Sequence, residues 1–275
     1  MGAPVLLFEL IKKCFPLRFL GAQMASLPLM DRLVNRVFFK NDRILYVPKQ
    51  RVTVREAINA PENAMVPGEL AAHFIRTASH RFIMKECLCR TAAGCHDYPQ
   101  ELGCIFLGPS AAHINPALGH MASVEEALAH QQRCAEAGLF HMIGRGRIDA
   151  IWLGVRPGKQ LMTICNCCPC CCLFRMLPHL PPVIQPKISR LPGVEFEVSG
   201  DCVACGRCAS QCFVQAVQIQ DGRAVINPEA CRGCGHCADI CPKKAIHLRL
   251  TRPDVIEAAT RMLSEVVSVN PPRPN

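Results

Sequence analysis

The sequence predicts an α+β protein with a mixed α/β, cysteine-rich N-terminal domain and a smaller C-terminal domain built from two similar halves. Three observations carry this. The chain has 275 residues, room for about two domains at roughly 150 residues each. Half of its residues are hydrophobic and 19 % are charged, which excludes a disordered chain. Its 20 cysteines are clustered, 14 of them between Cys165 and Cys241, and eight of these form a pattern that occurs twice. So long a chain does not need disulfide staples to fold, and cysteines grouped this way read as metal ligands.

Residues 1–55 read as a basic amphipathic arm. They hold ten Lys/Arg against three acids, +7 of the total +9. Pro16 and Pro28 break any long helix, and residues 29–38 have helical spacing, with Leu29, Leu33 and Val37 opposite Arg32 and Arg36. Residues 56–176 read as the α/β domain. Pro67-Gly68-Glu69 opens a helix through Ala78, and Arg81–Cys89 and Gly103–Leu107 read as strands. Ser123 and Glu126 form a capping box for a helix that ends at Gly138. Gly144-Arg145-Gly146-Arg147 reads as a charged hairpin turn, and Ile148–Leu153 and Leu161–Cys165 as two more strands. Five prolines make residues 177–193 an extended linker or wrapping segment. Residues 194–250 hold the repeat. Residues 251–275 add an amphipathic helix at 254–267 and a proline-rich tail expected to be disordered.

The repeat carries the strongest chemical signal. Cys202-x2-Cys205-x2-Cys208-x3-Cys212 recurs 29 residues later as Cys231-x2-Cys234-x2-Cys237-x3-Cys241-Pro242. The flank Ala216-Val217-Gln218-Ile219 recurs as Ala245-Ile246-His247-Leu248. Two residues between thiolates let a short loop wrap three corners of a [4Fe–4S] cube, and the fourth ligand comes from the other half. Gly206, Gly233 and Gly235 allow the backbone to approach the sulfurs. The expected ligand sets are therefore Cys202, Cys205, Cys208 and Cys241 for one cluster, and Cys231, Cys234, Cys237 and Cys212 for the other. Two zinc sites would use C-x2-C pairs but have no need of the crossed third and fourth cysteines.

With these motifs, residues 194–250 resemble the bacterial two-cluster ferredoxins. The resemblance implies a ferredoxin-like fold of two short halves around two cubane clusters, with one-electron transfer as the activity. One departure stands out: Phe213 occupies the position after the fourth cysteine where the family usually has proline.

Ten further cysteines lie upstream, in Cys87-Leu88-Cys89, Cys95-His96, Cys104 and the run Cys165-Asn166-Cys167-Cys168-Pro169-Cys170-Cys171-Cys172. They predict a third metal centre, an iron–sulfur cluster in the first instance, with zinc, plain thiols or a redox disulfide as alternatives. Cys87, Cys89, Cys95, Cys167 and Cys170 are the expected ligands. Cys104 and Cys134 are expected to pack in the core, Cys14 to be a free thiol and His96 a surface residue. This region resembles the N-terminal part attached to ferredoxin modules in anaerobic microbes, a resemblance that assigns no activity.

The expected function is an electron-transfer protein, or a subunit of an oxidoreductase complex, that passes single electrons between redox partners. The alternatives are an iron–sulfur reductase with catalysis at the N-terminal cysteines, and a redox sensor. The arm suits a redox partner protein or the anionic face of a membrane. Nucleic acid is the least supported partner, and no phosphate-binding loop or nucleophile elbow is present. No membrane-spanning run and no signal peptide is visible, so the expected location is the cytoplasm or the inner face of the membrane.

Overall fold

Strand pairing between distant segments ties most of this chain into one seven-stranded sheet. The computed structural model describes residues 2–48, 54–57 and 69–272, with the backbone alone for 54–57. Three helices lead: α1 (Val5–Cys14), α2 (Arg18–Met24) and α3 (Met30–Phe38). Then follow β1 (Arg43–Val47), β2 (Val54–Ala57), α4 (Glu69–Thr77), β3 (Arg81–Met84), α5 (Leu88–Ala92), β4 (Ile105–Leu107) and β5 (Gly119–Met121). Next are α6 (Val124–Glu136), β6 (Phe140–Arg145), α7 (Arg147–Leu153), β7 (Met162–Cys167) and β8 (Ile188–Arg190). The last part contains β9 (Val194–Val198), α8 (Arg207–Gln211), β10 (Val217–Gln220), β11 (Arg223–Ile226), α9 (His236–Asp239), β12 (Ile246–Leu250) and α10 (Val255–Ser264).

The large sheet has the order β5-β3-β4-β7-β6-β1-β8. Its pairs are antiparallel except β1 with β8. Successive side chains on a strand face opposite sides. On β7, Met162 and Ile164 enter a core shared with Leu45, Phe74, Ala127 and Leu263, so α4, α6 and α10 cover that face. Cys165 and Cys167 point to the other face, with Tyr46, Phe140 and Met142. A second sheet, β2-β12-β9, joins residues 54–57 to two strands of the repeat region, which also holds the hairpin β10-β11. The hairpin turns at Asp221-Gly222, both at positive φ, the Asp-Gly chemistry that two-residue hairpin turns favour.

Several expected elements hold. Ser123 caps α6, its hydroxyl accepting the Glu126 N–H at 3.1 Å. The reciprocal half of the box is absent, because the Glu126 carboxylate pairs with His120 at 2.7 Å instead. Cys134 is fully buried, and Cys14 and His96 are exposed, as expected.

Other expectations are corrected. Ile148–Leu153 lies in helix α7, not a strand. Its apolar residues Ile148, Ile151 and Trp152 also fit helical spacing, and short apolar runs do not separate the two periods. The residues Gly144–Arg147 run from β6 into α7 and form no hairpin turn. The strand from Arg81 stops at Met84, and Cys87 is the N-cap of α5. The arm does not stand apart, since β1 lies between β6 and β8 with Leu45, Tyr46 and Val47 fully buried. The 177–193 segment is no linker: it buries Leu180, Ile184, Ile188 and Leu191 and supplies β8. Just before the tail, the Val269 carbonyl accepts the Ser79 N–H at 3.0 Å. The expected helix opening at Pro67-Gly68 and the tail residues 273–275 lie outside the described residues. No helix among the described residues is long and apolar enough to cross a membrane.

Candidate metal centres

The two halves of the repeat share one backbone design. Gly206 and Gly235 sit at equivalent positions with φ of 76° and 78°, each opening a short helix, α8 or α9. Ala204 and Gly233 are likewise equivalent and both have positive φ, as do Gln215 and Lys244. Left-handed residues at these points coil the loop so that its amides face inward. The Ala216 N–H points at the Cys212 sulfur and the Ala245 N–H at the Cys241 sulfur, each at 3.3 Å. The Ala224 N–H meets the Cys202 sulfur and the Gly233 N–H the Cys231 sulfur, each at 3.4 Å. These bonds draw the Cys202 thiol below its ordinary pKa, the Ala224 N–H first and that of Ala204 next. Burial pushes Cys231 and Cys237 the other way.

Each set of thiols lines a cavity. One is lined by Cys202, Cys205, Cys208 and Cys241. The other is lined by Cys212, Cys231, Cys234 and Cys237, with Cys208 beside them. Four thiols around an empty volume, with amides aimed at the sulfurs, is a donor set that fits an iron–sulfur cluster. Residues 201–245 match the family model of the 4Fe-4S dicluster domain. This supports an iron–sulfur electron-transfer role for the region. No curated protein and no solved structure matches the chain.

Phe213, the departure from the ferredoxin pattern, is nearly buried. Its ring stacks on Phe140 of β6, with centroids 5.4 Å apart and planes 2° from parallel, and it lies 6.1 Å from Tyr46 of β1. The residue after the fourth cysteine thus locks the repeat to the large sheet.

A second kind of site lies where β7 leaves the sheet. The Cys95, Cys168, Cys170 and Cys171 sulfurs all fall within 4.8 Å of one another. Cys170 is 3.7 Å from Cys95 and 3.5 Å from Cys171. One tetrahedral ion with metal–sulfur bonds of about 2.3 Å places its thiolates roughly 3.8 Å apart, so this spacing fits a single zinc or iron ion. Burial raises the Cys171 thiol to about 12. Thiolates in such a place need a cation beside them, and a bound metal supplies it. Cys134 of α6 packs against the group.

Of the five cysteines expected in one third centre, the structure places Cys95 and Cys170 in this group. Cys87, Cys89 and Cys167 lie elsewhere, against the other face of the sheet, and Cys168 and Cys171 take their place. The cause is the pleat. Cys165 and Cys167 end a strand and share a face, whereas the residues after it turn away. Alternation at the strand end was the signal in the sequence that could have separated them. Cys104, expected only to pack, faces Cys165 with sulfurs 3.6 Å apart.

Proposed function

We propose that the protein carries single electrons between redox partners through two [4Fe–4S] clusters, one on Cys202, Cys205, Cys208 and Cys241, the other on Cys231, Cys234, Cys237 and Cys212. The observation that carries this reading is the pair of four-cysteine cavities within the matched dicluster segment. Bound clusters would each accept and release one electron, at potentials set by hydrogen bonds and exposure. The chain's part is to hold the thiolates and stabilise their charge with the amides of Ala216, Ala224, Gly233 and Ala245. A third centre, a single tetrahedral ion, sits on Cys95, Cys168, Cys170 and Cys171. Four thiols complete the coordination of such an ion and leave no position for a substrate. That favours electron transfer or a structural role over a reductase.

The partner is a redox protein or complex, docked through the basic N-terminal helices. These helices expose Leu6 and Leu29 at 79 % and 78 %, with Leu10 and Leu33 also exposed, on a segment that carries Arg32 and Arg36. The same surface suits the anionic inner face of a membrane. Two measurements test this reading. Anaerobically purified protein should hold about eight irons in cubane clusters visible by EPR; a colourless repeat would overturn it. Replacing Leu6, Leu10, Leu29 and Leu33 with serine should abolish retention on anionic vesicles or on the partner complex while leaving the clusters intact. Retention unchanged by the four substitutions would place docking elsewhere.

A further inference from the structure

Six cysteines form a group of their own. Cys104, the residue before β4, lies opposite Cys165 of β7, next to the pair Ile105 and Ile164. Their sulfurs are 3.6 Å apart. Cys167 shares their face of the sheet, and its thiol interacts with those of Cys165 and Cys172. Cys87 and Cys89, at the start of α5, interact with one another and complete the set. Among the described residues, the group at Cys95 is the one set drawn within 4.8 Å. These six are spread more widely, as neighbouring pairs along the sheet face and the start of α5.

Two buried polar groups lie beside these thiols, one a charge without an opposite charge and the other a hydroxyl without a partner. Arg90 is fully buried. It donates to the carbonyls of Pro99 and Asn166 at 2.7 Å and to that of Leu102. No carboxylate pairs with it among the described residues. A guanidinium does not lose its charge in a protein, so a buried one needs anions nearby. The groups around it are the thiols of Cys87, Cys167, Cys168 and Cys104. Tyr46 is fully buried too, and its hydroxyl has no hydrogen-bond partner among the described residues. Buried hydroxyls are normally bonded. The groups that act on this one include the thiols of Cys172, Cys167 and Cys234.

We propose that Cys87, Cys89, Cys104, Cys165, Cys167 and Cys172 bind a separate polynuclear iron–sulfur centre, with Arg90 as its buried counter-charge and the Tyr46 hydroxyl as a hydrogen-bond donor to its sulfur. Soft thiolates select iron–sulfur clusters, zinc or copper(I), and six of them exceed what one ion takes. The location favours the redox metal. Phe140 is the register partner of Cys167 and stacks on Phe213, the neighbour of Cys212. The thiol of Cys234 acts on Tyr46 from the other side. The site therefore adjoins the second cysteine set of the repeat, a placement that serves electron exchange and that a structural ion does not require. This centre is additional to the three of the proposed function; its assignment to iron rather than zinc rests on the second cluster of that reading.

The full chain, labelled with iron-57 and purified anaerobically, decides the matter by metal analysis and Mössbauer spectroscopy. Wild-type protein should carry at least two irons beyond the roughly eight of the repeat and the one ion at Cys95. The C165S/C167S variant should lose those irons and keep the rest; C168S/C170S should keep them. Y46F, which retains every thiol, should keep the full iron count but shift the Mössbauer parameters of the extra irons. The proposal is overturned by a wild-type chain with only about eight irons and one further ion. It is equally overturned by a C165S/C167S variant whose total is unchanged, or by zinc alone at the six thiols. A Cys104–Cys165 disulfide in peptides mapped from the anaerobic protein would also end it. Failure of the dicluster reading looks different, because the cubane signals would be missing while the extra irons remain.

Discussion

The repeat and the large sheet gather thiols by opposite means. In the repeat, three cysteines of each set come from one loop, spaced two residues apart, and left-handed residues at matching positions shape the loop. In the sheet region, the thiols come from the start of α5, the loops after it, β7 and the segment beyond β7. Cys104 and Cys165 meet because β4 and β7 pair in one register. A site written into local spacing survives almost any fold around it. A site made by strand register exists only when the whole sheet has formed, and a one-residue slip would send its thiols to the wrong face.

The largest expected effect tests the independence of the two kinds of site. Cys208→Ser or Cys237→Ser should each remove about four irons of the repeat's eight and leave the other cluster's EPR signal in place. Either variant should leave the metal at Cys95 untouched, because no ligand is shared. A variant that lost all metal at once would show that the regions fold as one metal-dependent unit, and the contrast would collapse.

A second effect concerns the contact between the regions. Phe213 is 9 % exposed and packs on Phe140 and Tyr46. Phe213→Ala should cost about 3 kcal/mol, within the usual range for a buried phenylalanine. Phe213→Pro, the residue the ferredoxin pattern favours, should cost nearly as much, because the turn gains rigidity but the stack is lost. Anaerobic urea titration measures both. If Phe213→Pro is as stable as wild type, the ring serves the turn rather than the junction.

That residue also marks where the sequence was readable and where it was not. Phe213 stood out as a departure, since its position in the motif is fixed by Cys212. Its use did not, because Phe140 lies 73 positions earlier and nothing local links them. The loop cysteines of the repeat and the cap of α6 were readable for the same reason: Cys202, Cys205 and Cys208, like Ser123 and Glu126, lie within a few residues of one another. The insertion of β1 between β6 and β8 was not, because it pairs Ile44 with Gly144 and with Ile188, 100 and 144 positions away. The run from Cys165 to Cys172 looked like one centre because its residues adjoin in sequence. The pleat of β7 divides it, and the short apolar run of α7 fits the strand period as well as the helical one.

The smallest expected effect separates the regions by pH. Asp42, at the start of β1, accepts the Arg147 N–H at 2.8 Å, yet burial pushes its carboxyl up to about 7 against the pull of that bond and of Arg145, Lys187 and Arg147. The folded state therefore holds a proton that the unfolded chain, with its value of 3.8, has released. The contribution of Asp42 is complete below about pH 4 and is lost as pH rises through about 7, with a slope of at most about 1.4 kcal/mol per pH unit. Asp254, before α10, is the opposite case. Arg252 at 2.6 Å and 2.7 Å, together with Arg261, holds its carboxyl down to about 2. Its contribution is present above about pH 4 and is lost as pH falls toward 2; it is fully exposed, so solvent screens it. Between pH 5 and pH 8, Asp42 and Asp149, whose carboxyl burial likewise raises to about 7, should both tilt the stability downward with rising pH. Asp42→Asn should lessen that tilt and Asp254→Asn should not, as read from urea midpoints at fixed ionic strength. A wild-type midpoint that rises from pH 5 to pH 8, or a slope untouched by Asp42→Asn, would mean that the three cations keep Asp42 ionised. The start of β1 would then be held by charge pairing, as α10 is, and the two regions would no longer differ in this respect.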